Sequence, residues 1–427
     1  MFDKTIESFI KELKGNKMNF DDEEIEHILK PIKRRFFRTF NIDEMLNNSI
    51  NENILFEYIK KSPGFTFNFK TNNIDILLYG GKRNLKDNPI LENTLYDLAS
   101  ITKTYTMLII YKLFELKILS PVDKVKDIVN YPNFGDIRIN ELINFSINFK
   151  THKRIDEAET RMEALDLLHN TKVNRCLYDY NDLGCMVLKE IAEKKSGLSY
   201  DELLNTLILN KIDCKETFVN IPNNYKHNIT GTPNIDKAVC NDAKAVTLGG
   251  CYGHAGIFAS AKDVNKMIRN LLEGKIVNPY DFYTPNITHE HSLVGNIWCK
   301  GSSNVDERFP NKSICIQGST RVQANASLYE LDKKYTASSI VFLNPATITK
   351  EEALENEKTI GKKIYKEFDE YKQIDARYIM PPNKTMIPLN KEVSNIIIRL
   401  LYIEYIISRY EKSKNFNKEI KKVLVRK

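Results

Sequence analysis

Residues Asn93-Thr94-Leu95-Tyr96-Asp97-Leu98-Ala99-Ser100-Ile101-Thr102-Lys103 carry the reading on which the rest of the chain turns. From Ser100 to about Leu119 the pattern becomes helical, which puts Ser100 in a first helical turn. Residues three apart share one helix face, so the Ser100 hydroxyl and the Lys103 amine come within reach of each other. The positive end of the helix dipole favours a developing alkoxide at that place. A neutral Lys103 can take the serine proton, provided burial or a neighbouring cation depresses its pKa. Ser8-Phe9-Ile10-Lys11 repeats the same spacing on what reads as a surface helix, so spacing alone does not single out a nucleophile. The surroundings of Ser100 do.

Upstream, residues 1–54 read as a helical extension, with Ile6, Phe9, Ile10 and Leu13, then Ile25, Ile28 and Leu29, at helical spacing. Pro63-Gly64 breaks that pattern. Two strand-like runs follow, Phe65–Phe69 and Ile74–Tyr79, joined by the turn-rich Lys70-Thr71-Asn72-Asn73 and closed by Gly80-Gly81. Downstream, helices are expected at Leu183–Ala192 and Tyr200–Leu209, with Gly197 as the stop between them. The glycine-dense loop Gly249–Gly256 feeds another helix at Lys262–Leu272. Strands return at Ala326–Leu331 and Ser338–Leu343, Lys350–Lys372 is charged and helical in composition, and Lys391–Tyr410 is a strongly apolar terminal helix. This order predicts an α+β fold, an antiparallel sheet flanked by helices, over residues 55–427. A helical lobe at about 100–309 is inserted into a sheet lobe at about 55–99 and 310–427.

The whole chain is consistent with an enzyme of ordinary globular composition. Its 427 residues are 42% hydrophobic and 28% charged, which excludes a disordered or fibrous chain. Lys+Arg 63 against Asp+Glu 56 gives +7, a mild surplus that permits contact with an acidic surface without demanding one. The cluster Lys33-Arg34-Arg35-Phe36-Phe37-Arg38 is read as a solvated helix face with two core phenylalanines, not as a nucleic-acid or membrane contact. Met107–Leu119 and Ile396–Ser408 are interrupted by charges, so no membrane span is expected. The opening Met1–Glu7 lacks an apolar core, and the seven scattered cysteines form no C-x-x-C, so a reducing cytoplasm is the expected setting. Neither a phosphate-binding glycine loop nor a metal-ligand spacing is present, and no metal or organic cofactor is implied.

The run ending in Ser100-Ile101-Thr102-Lys103 resembles the "dT-l-f-d-l-a-S-x-T-K" segment of the serine β-lactamase-like family, which includes class C β-lactamases, D-Ala-D-Ala carboxypeptidases and esterases. Pro63-Gly64 and the first hairpin stand where that family has its own. Tyr180-Asn181-Asp182-Leu183-Gly184 is similar to its "Y-S-N/D-x-G" motif, and Gly249–Ala261 to its "GG-x-x-GHAGLFS-x-A" loop. The resemblance implies the β-lactamase/transpeptidase-like fold and a serine hydrolase working through an acyl-enzyme on a small ester or amide. Ser100 would be the nucleophile, Lys103 its base and Tyr180 the group that passes the proton to the leaving group. Two alternatives keep the fold: an acyltransferase, and a non-catalytic binding protein.

Four further places bear on substrate. An ionised Asp182 can only accept hydrogen bonds, so it either orients Lys103 or Tyr180 or caps the helix at Leu183. His254 either touches substrate or shapes the pocket rim, and no partner carboxylate for it is evident in the loop. The family's H/K-T/S-G strand motif is altered here. Gapless counting from Ser327-Leu328 places it at Thr320-Arg321-Val322, whereas anchoring on its glycine places it at Ile316-Gln317-Gly318. Either way the usual cation is missing, leaving Gln317, Ser319, Thr320 and Arg321 as the substrate-facing candidates, with Arg321 restoring the charge if it faces inward. An amide between Ser319 and Val322 would complete an oxyanion hole with that of Ser100. Finally, Ile137–Ser146 resembles a family segment but has lost its closing His and Gly, which predicts a remodelled loop over the site.

Overall fold

The protein was analysed as a computed structural model that describes residues 64–70, 75–81, 88–230, 240–278, 297–299, 314–319, 322–331, 334–343, 358, 365–368 and 371–374. Alternating apolar residues around Pro63-Gly64 do form the first hairpin, strand β1 (Gly64–Lys70) with β2 (Asp75–Gly81). The ladder runs through both closing glycines, since Gly64 pairs with Gly81 and Phe65 with Gly80. β1 then pairs with β11 (Lys334–Leu343), which pairs with β10 (Val322–Leu331), then β9 (Ile314–Ser319) and β8 (Ile297–Cys299). All of these pairings are antiparallel. The six-stranded order β2-β1-β11-β10-β9-β8 joins the start of the domain to segments 250 residues later. β8 lies inside the stretch assigned from sequence to the helical lobe, yet it is an edge strand of this sheet.

Between β2 and β8 the described residues hold seven α-helices, with short strands among them. Helix α1 (Ile101–Glu115) is buried on nearly every face, including Thr102, Lys103, Thr104 and Thr106. It is wedged between β9 and α4 (Leu183–Ser196), with short helices α2 (Ile139–Ile143) and α3 (Arg161–His169) between them in sequence. Gly197 ends α4 in the left-handed region at φ 73°, the stop expected from its position. The next helix is less regular than its periodicity suggests. α5 (Tyr200–Leu203) widens into a π turn over Leu204–Ile208 and tightens over Leu209–Lys211. Helix α6 (Ala243–Thr247) precedes the glycine-dense loop, and α7 (Ala261–Leu272) packs across β1, β10 and β11. In the stretch Lys350–Lys372, helical by composition, Lys358 is helical, whereas its end forms strand β12 (Tyr365–Phe368) and enters β13 (Tyr371–Ile374); the rest lies outside the described residues. There Tyr365 pairs with Ile374 and Phe368 with Tyr371, aromatic and branched residues that favour extended backbone over the lysine and glutamate around them. The N-terminal extension, Ser8, the Lys33–Arg38 cluster, Thr320, Arg321 and the terminal helix at Lys391–Tyr410 lie outside the described residues.

A small second ladder positions the nucleophile. β3 (Tyr96–Asp97) pairs with β7 (Phe258–Ala259), which also pairs with β6 (Thr217–Phe218). The Leu98 amide extends it to the Ile257 carbonyl at 2.9 Å, so the segment entering Ser100 is laced to the segment leaving the glycine loop. Two short segments form one more pair, β4 (Ile147–Lys150) with β5 (Lys172–Arg175). The large sheet is tied to the small ladder by a buried bond of 2.6 Å between the hydroxyls of Thr66 on β1 and Tyr96 on β3. Removing one partner strands the other hydroxyl without water. Tyr96→Phe should therefore cost about 1–2 kcal/mol in urea unfolding, and Thr66→Val a similar amount. The double variant should cost less than the sum, and additive losses would show that the bond contributes nothing.

Candidate active site

Helix α1 begins beside a strained residue. Ala99 has φ 46°, in the left-handed region that a β-carbon disfavours, and its amide is held by Asp97 Oδ1 at 2.9 Å. Asp97 is fully buried, and its other oxygen accepts from the Asn241 amide at 2.6 Å. This turn delivers Ser100 to the N-cap of α1, yet the Ser100 hydroxyl makes no capping bond. It accepts instead from Lys103 Nζ at 2.9 Å. Lys103 has no exposed surface, and its ammonium also donates to the His254 carbonyl at 3.2 Å and meets Asp182 Oδ1 at 2.7 Å. Three acceptors match the three protons of an ammonium. Burial alone would depress the Lys103 pKa, but Tyr180, Asp182 and Cys185 outweigh it and hold the amine above its usual range. A neutral Lys103 is conditional on a depressed pKa, and the Asp182 carboxylate beside the amine works against that condition.

Asp182 sits at the N-cap of α4 but does not cap it. Asn181 takes that work, its Oδ1 accepting from the Gly184 amide at 2.9 Å. Both Asp182 oxygens are consequently turned to lysines: Oδ1 to Lys103, and Oδ2 to Lys244 Nζ at 2.8 Å. Burial raises the pKa of such a carboxyl, and here Lys103, His254 and Lys244 overcome it and drive the group well below the carboxylate range. Tyr180 is 40% exposed and lies with its ring 5.2 Å from Lys103 Nζ. The ring of buried Phe145, itself at φ 52°, stands 5.2 Å from that of Tyr180. Phe145 belongs to the segment that lost the family's histidine and glycine, so the remodelled loop supplies the wall behind Tyr180.

His254 is completely buried, so its ring does not touch substrate. Its carboxylate partner is Asp242, 12 residues earlier, whose Oδ1 stands 2.8 Å from Nε2 and also accepts the Ala245 amide at the start of α6. Burial works against the Asp242 charge, but the His254 bond prevails and the carboxyl falls to about 2. His254 thus orients the site through its own carbonyl, on Lys103, and through Asp242, on α6. The loop is braced from behind by Glu190, which accepts from Tyr252 at 2.7 Å and Tyr131 at 2.9 Å and stands 3.1 Å from His169 Nε2. Asp182, Asp242 and His254 present ligand atoms within 4.8 Å of one another, but both Asp182 oxygens are already paired with lysines.

The strand motif is fixed by contact. A β-carbon on Gly318 would stand 2.3 Å from the Leu98 carbonyl and 3.0 Å from the amides of Ser100 and Ile101. Gly318 thus packs on the turn that carries Ser100, in keeping with the register anchored on a glycine; Thr320 and Arg321 of the other register lie outside the described residues. Ile316, at the cation position in the glycine-anchored register, is fully buried, half-buried Gln317 follows, and the Ser319 backbone comes next along β9. Gln317 pairs with Asn325 and Gly318 with Ala324 of β10. Lys244, Asp242 and Phe145 were not singled out from sequence. An Asp preceding a short helix was the only signal for Asp242, and nothing local marks Lys244.

The Beta-lactamase family model matches residues 65–284, more than half of the chain. With the serine and lysine at a helix start, the tyrosine motif and the glycine strand in one place, the fold and the site define the serine β-lactamase and penicillin-binding-protein class. The chain belongs to the β-lactamase family. A putative D-alanyl-D-alanine carboxypeptidase of Escherichia coli strain K12 is 24% identical over 224 residues, 42% of this chain and 51% of that protein. Penicillin-binding protein 4* of Bacillus subtilis strain 168 is 30% identical over 148 residues, 31% of this chain and 32% of that one. The chain spans about half the length of the carboxypeptidases it matches. Among solved structures, FmtA of Staphylococcus aureus aligns at TM-score 0.55 with 15% identity, over 78% of this chain and 95% of FmtA. A class C β-lactamase of Rhodobacter sphaeroides aligns at TM-score 0.53 with 13% identity, over 68% and 91%. Both share the fold. Among the described residues no helix is long and apolar enough to cross a membrane.

Gly318→Ala tests the closeness of strand and helix. A 2.3 Å approach to a carbonyl oxygen cannot be absorbed without moving β9 or the Ser100 turn. The variant should lose stability by about 1–3 kcal/mol in a thermal melt and lose acylation of Ser100. Unchanged values for both would remove Gly318 from the site.

Proposed function

We propose that this protein is a serine hydrolase that acts through an acyl-enzyme on a small ester or amide. The observation that carries the reading is the buried Lys103 ammonium donating to an uncapped Ser100 hydroxyl at a helix N-terminus. Ser100 Oγ attacks the carbonyl carbon, and the new oxyanion is held by the amides of Ser100 and Ser319. The serine proton goes to Lys103 in its amine form, the form that the Asp182 carboxylate disfavours, and the ammonium so made stands against the oxyanion. Tyr180 then gives its phenolic proton to the leaving group and takes one from Lys103 as the tetrahedral intermediate collapses to the ester on Ser100. Water attacks that ester with the same groups acting in reverse, returning the proton to Ser100 and freeing the acid. Relatives named as carboxypeptidases and penicillin-binding proteins support an acyl-transfer chemistry at this place in the fold.

The substrate end of the reading follows from Ile316. A buried aliphatic residue where relatives hold a cation pairs poorly with a substrate carboxylate, because an unpaired charge near an apolar wall is costly. A short uncharged ester needs only the nucleophile, its proton acceptor and the oxyanion donors.

Two measurements check this. Exposure to p-nitrophenyl acetate should add one acetyl group to the intact mass of the protein, and Ser100→Ala should abolish it while retaining the fold. Undiminished labelling of that variant would place the nucleophile elsewhere. The kcat/KM for p-nitrophenyl acetate or butyrate should also exceed that for a chromogenic cephalosporin, and the reverse order would overturn the reading of the strand at Ile316.

A further inference from the structure

The geometry points to Lys244 as a positioning residue of the nucleophile site: seated on the second oxygen of Asp182, it supplies the positive charge that lets a half-buried carboxylate stand against Lys103 without cancelling its charge. The inference rests on the reading of Ser100 as the nucleophile.

The carboxylate is shared. Lys103 takes Asp182 Oδ1 at 2.7 Å and Lys244 takes Oδ2 at 2.8 Å, giving a chain of cation, anion and cation that ends on the serine oxygen. A carboxylate paired with Lys103 alone would neutralise it, and the pair would offer no net charge to a forming alkoxide. With Lys244 present, one ammonium is left in excess over the carboxylate between them. An asparagine at position 182 would need no second lysine, and the family motif accepts either residue there. Lys244 and an ionised Asp182 are thus two halves of one arrangement.

The fold holds Lys244 in place from three sides. Asn241 is fixed by Asp97, the buried carboxylate before Ala99. Asp242 is fixed by His254 and starts helix α6 by accepting from Ala245. Lys244 then follows within the first turn of α6 and reaches α4. The segment that aims Lys244 is therefore anchored to the same two stretches that aim Ser100 and Lys103. The titratable groups facing it are Asp182, Asp242 and Asp156; those facing Lys103 are Tyr180, Asp182 and Cys185, of which Asp182 is the carboxylate; and His254 joins the two lysines around Asp182. Asp242 is engaged by His254, which leaves Asp182 as its direct partner.

The sign follows from charge alone. Taking away a cation leaves the Lys103 amine harder to deprotonate, so less of it is in the form that accepts the serine proton and acylation slows. Full-length protein carrying Lys244→Met, Lys244→Arg, Asp182→Asn, or Asp182→Asn with Lys244→Met is compared with the parent. The rate of acetylation by p-nitrophenyl acetate is followed from pH 6 to 10. Lys244→Met should be slowed about tenfold across this range, and Lys244→Arg should recover most of the rate. The decisive comparison is the double variant, which restores a single uncompensated ammonium and should acetylate faster than Lys244→Met alone. A double variant no faster than Lys244→Met, or a Lys244→Arg protein as slow as Lys244→Met, overturns the inference, since a purely structural lysine would behave that way. Thermal melts of the same proteins report the pairing without any turnover: losses from Asp182→Asn and Lys244→Met should be non-additive, and strict additivity also overturns it. Absence of acetylation in the parent would instead strike the Ser100 reading, leaving the melts to decide on Lys244.

Discussion

A fully buried ammonium is the constraint around which this site is arranged. Lys103 has no contact with water, and an isolated charge in that position would be too costly to keep. Each of its acceptors comes from a different part of the chain: the Ser100 hydroxyl one helical turn back, the His254 carbonyl from the glycine loop, and the Asp182 carboxylate from the head of α4. Folding must bring these three segments together at once. The small ladder of β3, β7 and β6 brings the loop, and the packing of α1 on α4 brings the carboxylate. Catalytic geometry and the cohesion of the helical region are in this sense one requirement.

The burial of so many polar side chains on α1 has the same origin. Thr106 Oγ1 donates to the Gly253 carbonyl at 2.6 Å and meets the Tyr200 hydroxyl at 2.7 Å, while Thr102 Oγ1 accepts the Ile257 amide at 3.2 Å. These bonds clamp the glycine loop to the helix along its length. Gly253 is required there because its φ is 81° and any β-carbon would lie 2.6 Å from the Cys185 carbonyl. The loop is thereby pressed between two helices, α1 and α4, that carry the reacting groups.

Much of this was legible in the sequence because it is local. The serine and lysine share a helix face three residues apart, two strand-like runs follow Pro63-Gly64, and Gly197 ends a helix, all from short-range rules. The tyrosine motif and glycine loop were identified by resemblance, and the structure places both against Lys103. What stayed hidden depends on distant partners. The His254–Asp242 contact spans a turn and a helix, Lys244 reaches Asp182 across 62 residues, and the state of Lys103 is decided by charges that only the fold assembles. The register of the strand motif was ambiguous because counting through β10 has no fixed point, whereas the contact of Gly318 with the Leu98 carbonyl supplies one. The hairpin at Tyr365–Ile374 was masked for another reason: its aromatic positions are diluted by lysines and glutamates that favour a helix on average.

The absent side chain at Gly318 also makes the two sides of the site unequal as raw material for divergence. On the strand side there is no slack, since the sheet already touches the backbone of the nucleophile and any added atom displaces it. On the helical side, Phe145 walls the site with a side chain from a separate segment, so its size can change while the backbone of the nucleophile stays where it is. Room for a different substrate is therefore to be made on the helical wall and not on the strand.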